Sequence, residues 1–86
     1  MRTKLADRIR AHVGATVIEA ARLAGKPDAL VVARDVHTGL GLRNRMPAVC
    51  AALDAQIFED ECDVVLLQRT GPRLSSTVTW RFSVRR

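Results

Sequence analysis

The chain has 86 residues and a hydrophobic fraction of 48%, enough for one modest core and a single domain over residues 1–86. Aromatics are only 3% (Phe58, Trp80, Phe82), which supplies few stacking platforms for single-stranded or RNA ligands and favours a double-stranded partner. The formal charge is +5, no stretch nears the roughly 18 uncharged apolar residues of a membrane span, and MRTKLADRIR runs straight into charged helical pattern, so a cytoplasmic protein with no membrane partner is expected.

The charge is blocked along the chain. Residues 1–53 carry nine Lys or Arg against four acids, residues 54–63 carry five acids and no base, and residues 64–86 carry five Arg and no acid. Twelve of the fourteen bases are Arg, which grips phosphate and guanine with two prongs where Lys offers one point charge. A GC-rich coding sequence explains part of that bias but not an acid-free C-terminal segment. Cys50 and Cys62 lack zinc spacing, and His12 and His37 are too scattered to complete a site. No metal, cofactor or disulfide is expected; Cys50 reads as a small space-filling thiol.

From Lys4 to Ala24 apolar residues fall at Leu5, Ile9, Val13, Val17, Ala20, Leu23 and Ala24, which predicts one amphipathic helix stopped by Gly25 and Pro27. Gly14 costs about 1 kcal/mol relative to Ala and permits a break there. Lys4, Arg8 and Arg10 read as the solvated face. Val13, Val17 and Ile18 spread over more than one face and are the candidate contact for a homodimer. Ala29 to Ala33 (ALVVA) is β-branched, lies after a Pro-Asp turn, and is expected as a strand that needs a partner from elsewhere.

Arg34 to Asp54 has the apolar spacing of two short helices joined by a tight turn, with Val36, Leu40, Leu42, Val49 and Leu53 inward and Gly41 at the reversal. Asp35 suits the positive end of the first helix. Asn44 is the expected N-cap of the second, which puts Arg45 at N1 and Pro47 at N3. Met46, Val49, Cys50 and Leu53 form its inward stripe; Arg43, Asn44, Arg45, Ala48 and Ala51 or Ala52 look away. Gln56 to Asp63 reads as an acidic linking segment anchored by Ile57 and Phe58, its carboxylates a solvated turn. Asp63 to Arg69 and Thr77 to Val84 are expected strands, the second with Val78, Trp80, Phe82 and Val84 on one face and Thr77, Thr79, Arg81 and Ser83 on the other. Thr70 to Ser76 (TGPRLSS) joins them as an antiparallel hairpin with a mobile tip.

Helix, strand, helix, turn, helix, strand, loop, strand over residues 4–85, with the run Val36-x3-Leu40-Gly41-Leu42-x6-Val49-x3-Leu53, resembles the winged helix-turn-helix superfamily of DNA-binding proteins. The resemblance implies an α+β fold of three helices and a small antiparallel sheet, a second helix that enters the major groove, and a wing at 70–76 that lies over the backbone or minor groove. His37 departs from it, since a small residue usually faces the second helix there. A His must lean aside or form a hydrogen bond.

On that basis Arg43, Asn44 and Arg45 are the expected base contacts, Arg for guanine O6 and N7 and Asn for adenine N6 and N7, with helix capping the competing role for Asn44. Arg69, Arg73 and Arg81 flank the wing, Arg73 at its tip, and Ser75, Ser76 and Thr77 add neutral phosphate hydrogen bonds. Arg85 and Arg86 contribute to the field. Binding without catalysis is expected, because there is no Gly-rich phosphate loop, nucleophile with its base, or recognisable carboxylate pair. A small transcriptional regulator is the leading reading, with a DNA-reading module of a phage, plasmid or restriction system equally compatible. A protein-interaction module on the same scaffold is the alternative, although it has no need of 23 C-terminal residues free of acids.

Overall fold

The computed structural model describes residues 4–84 and begins with a helix whose buried face changes period. α1 (Leu5–Val13), a π-helical segment (Gly14–Ile18) and α2 (Glu19–Leu23) follow one another without a break. Ile9 and Val13 are buried four residues apart, but the next core residue, Ile18, follows Val13 by five. A π turn spaces its hydrogen bonds five residues apart, which brings Ile18 back over Val13. The period of 3.6 carried straight past Gly14 predicts Ala20 and Leu23 inward; instead Ile18 and Ala21 are buried and Leu23 is 79% exposed. The homodimer contact expected on Val13, Val17 and Ile18 loses two members to the core, since Val13 and Ile18 are fully buried and only Val17 reaches solvent.

The chain continues as β1 (Asp28–Val32), α3 (Ala33–Gly39), α4 (Met46–Asp54), α5 (Gln56–Cys62), β2 (Val64–Thr70) and β3 (Thr79–Val84). With the continuous first helix counted once, the described residues form an α+β unit of four helices and a three-stranded antiparallel sheet of order β1-β3-β2. The early strand finds its partner in β3, with Ala29 opposite Phe82 and Val31 opposite Trp80. Trp80, Phe82 and Val84 alternate inward as expected and form the sheet's side of the core. A bulge at Leu67 resets the register of β2, so that Arg69 lies opposite Trp80.

α5 is a departure from the expected order. The acidic segment predicted as a link is helical, with Phe58 fully buried against Phe82 at 5.0 Å between ring centroids. Glu59 turns in with it and accepts the Leu66 backbone N–H at 2.8 Å. That bond supplies an edge strand with a partner its own sheet does not provide. Asp63 then takes a left-handed conformation, φ +53°, and turns the chain into β2.

The α3–α4 connection is six residues, 40–45, longer than the tight turn predicted. α3 closes with Leu40 as C-cap and Gly41 at φ +64°; the Gly41 N–H donates to Thr38 and the Leu42 N–H to His37. This is a Schellman ending, and it needs a residue that tolerates the left-handed region. Among the described residues no helix is long and apolar enough to cross a membrane.

Two glycine replacements separate backbone strain from crowding. A Cβ at Gly41 meets nothing within 4 Å, so Gly41→Ala is expected to cost only the left-handed penalty of about 1–2 kcal/mol in urea unfolding. Gly71, at φ +101°, would place a Cβ 3.0 Å from the Val78 Cα, and Gly71→Ala is expected to cost more.

Candidate nucleic-acid interface

Arg43, Asn44 and Arg45 are all exposed, but they precede the second helix and do not begin it. α4 starts at Met46 with Arg45 as its N-cap residue, and no side chain caps it. Asn44, the expected cap, stands one residue too early and adopts φ +52°. Pro47 falls at N2, where a missing N–H costs nothing. His37 does hydrogen-bond: its Nε2 accepts the Arg45 N–H at 3.2 Å, while its carbonyl accepts the Leu42 N–H. One residue of α3 thus holds both ends of the turn that carries the two arginines.

α4 buries Val49, Cys50, Ala52 and Leu53 and half-buries Met46 and Ala48. Its exposed stripe is Pro47, Ala51 and Asp54. Asp54 is already engaged, since Oδ1 accepts the Trp80 indole N–H at 2.7 Å and the Arg69 Nε–H at 2.8 Å. The Arg69 guanidinium also lies over the Trp80 ring, 5.6 Å from its centroid, and donates to the Arg73 carbonyl. Arg69 therefore braces the β2–β3 loop.

The loop is stitched to itself and to α3. Ser75 and Thr77 join their hydroxyls at 2.9 Å, the Ser75 N–H donates to the Pro72 carbonyl, and the Arg34 N–H donates to the Ser76 carbonyl at 3.0 Å. Arg73 is exposed at the tip beside Leu74, which is 50% exposed. Arg81 stands apart on the outward face of β3, where Asp28 holds it at 3.0 Å. Arg85 and Arg86 lie outside the described residues.

The candidate cations fall into two groups. Arg43 and Arg45 sit at the turn; Arg73 and Arg34 sit at the loop, beside the start of α3 and near the end of α4. Their side chains have no ion-pair or hydrogen-bond partner among the described residues. α4, nine residues at about 1.5 Å each, is about 13 Å long, with one group beside each of its ends. Sequence reasoning assigns nothing to Arg34 as a contact, because its only signal is three-dimensional, a backbone bond to the loop.

Burial is the first cause that raises the thiols of Cys50 and Cys62. At Cys50 Arg69 opposes it and Asp54 adds to it; at Cys62 Glu61 adds and Arg22 opposes. Both thiols hold their protons more tightly folded than unfolded, so their contribution to stability is intact below the ordinary thiol value and lost as pH rises through the raised one. Alkylation at pH about 8 should be slower than for a free thiol at both sites, and slowest at fully buried Cys50. Asp54→Ala should strand the indole N–H of fully buried Trp80, at a cost of about 1–3 kcal/mol in urea unfolding followed by its fluorescence. Asp54→Asn should recover much of that, because an amide oxygen still accepts.

No protein-family model matches the chain, and neither a curated protein nor a solved structure matches it.

Proposed function

We propose that the chain is a winged helix-turn-helix protein that binds double-stranded DNA, with the 40–45 turn and the start of α4 at the major groove and the β2–β3 loop on the neighbouring backbone. The observation that carries the reading is the pairing of exposed, unengaged arginines, Arg43 and Arg45 at one end of the α3–α4 unit and Arg34 and Arg73 at the other. Guanidinium groups with no acid of their own to satisfy release counterions when they meet phosphate. The positive end of α4, which no side chain caps, lies with Arg43 and Arg45 and favours the same ligand.

The order β1-β3-β2 and the succession of first helix, strand, α3 and α4 support the superfamily reading. α5 and the six-residue connection are this chain's own departures from it. A transcriptional regulator and a DNA-contacting subunit of a larger system are both compatible with duplex binding. A protein-interaction module is the second reading, favoured by exposed Leu30, Val65 and Leu67 on the two outer strands.

Fluorescence anisotropy with a random-sequence duplex tests the proposal. Affinity should fall steeply between about 50 and 200 mM salt, and Arg43→Ala/Arg45→Ala should lower the log–log salt slope by roughly 2, near 0.9 for each phosphate no longer neutralised. Absence of binding at low salt by folded protein would overturn duplex recognition and favour the protein-interaction reading.

A further inference from the structure

We infer that the duplex is gripped without being read, a conclusion that rests on the duplex-binding reading above: the protein recognises the charge and shape of the double helix and has no preferred base sequence. α4 is the element a groove would receive. Its nine residues, MPAVCAALD, include no Arg, Lys, Asn, Gln, Ser, Thr or His. Base pairs are told apart in the major groove mainly by side-chain donors to guanine O6 and N7, by amides that match adenine N6 and N7, or by carboxylates that accept from cytosine N4. The outward stripe offers a proline ring, an alanine methyl and one carboxylate. The methyl touches at most a thymine methyl. The carboxylate, Asp54, is already shared between Trp80 and Arg69.

The available donors stand before the helix, in the turn. Arg43 and Arg45 have no neighbouring acid or carbonyl among the described residues that fixes the guanidinium plane; what is fixed there is backbone, through His37. Two-pronged recognition of guanine requires an oriented fork, whereas a phosphate accepts an arginine from many directions. Asn44, the turn's own side chain suited to adenine, projects from a residue in the left-handed region, and no hydrogen bond among the described residues holds it. Arg34 and Arg73, at the far end, flank a loop whose Ser75 and Thr77 hydroxyls bond each other. Each group therefore supplies charge at a defined place and leaves the bases unread. A protein of this kind coats, bends or bridges duplex, or is brought to its site by another component.

The test is a panel of duplexes from AT-rich to GC-rich titrated with the full chain at about 50 mM salt, together with repeated selection from a randomised duplex library. Affinities across the panel should agree within about tenfold and selection should enrich no consensus, against the thousandfold or more that separates specific from non-specific sites. Arg43→Ala should weaken every duplex by a similar factor. A selected sequence bound about a hundredfold tighter than random duplex, or a loss in Arg43→Ala confined to guanine-bearing sequences, would overturn the inference while leaving duplex binding intact. Failure to bind any duplex would instead remove the reading on which it rests.

Discussion

The carboxylate of Asp54 is the point on which the architecture turns. It ends α4, accepts the indole N–H of the largest core side chain, and holds the arginine that braces the β2–β3 loop. A fully buried Trp80 needs an acceptor for its N–H, and in this chain that acceptor comes from a helix terminus across the core. The same bond aligns α4 with β3, and the stacking of Arg69 on the ring fixes the guanidinium that donates into the loop. Loop position and helix position are thus one variable. The exposed part of the pair, Arg69 with Asp54, adds little energy by itself; its importance is geometric.

Much of the fold was legible because it follows from local pattern. The alternation of Trp80, Phe82 and Val84 identified the inner face of β3, which starts at Thr79 and not at Thr77, and Ala29 to Ala33 identified a strand, observed over Asp28–Val32 with Ala33 already in α3, whose partner only the tertiary structure supplies. Gly41 identified the end of α3. The period of the first helix was legible only as far as Val13. Beyond it the apolar residues fit two faces equally well, and the π turn that selects Ile18 over Val17 is decided by packing against the sheet and not by propensity. α5 was hidden for a related reason. QIFEDEC has three acids in seven residues, and its helicity depends on Phe58 reaching Phe82 and Glu59 reaching a strand edge, contacts that no window of sequence contains.

The candidate site was legible as composition and less so as position. Exposure of Arg43, Asn44, Arg45 and Arg73 agrees with their place in polar, turn-forming stretches. Their relation to α4 does not follow from those stretches, because a helix start depends on which residue adopts helical dihedrals first. Asn44 is a good cap by type, yet Pro47 can be accommodated equally at N2 or N3, so the sequence leaves the start free by one residue. His37 removes that freedom by accepting the Arg45 N–H. Arg69 and Arg81 show the converse: both look like free cations in the sequence, and both face carboxylates, Asp54 and Asp28, that are distant in it.

α4 explains why the arginines stand where they do. α1, α3 and α5 all pack against it, and a helix of nine residues contacted on three sides has few positions left. Val49, Cys50, Ala52 and Leu53 are buried, and Met46 and Ala48 are partly so. Of the three exposed positions, Pro47 helps to begin the helix and Asp54 to end it against Trp80, which leaves Ala51 alone without a structural duty. No long cationic side chain emerges from α4 itself; the exposed arginines stand in the turn before it, in the loop beside its end and in the first turn of α3. A helix packed on three sides has little surface of its own to offer, and the exposed cations are gathered beside its two ends.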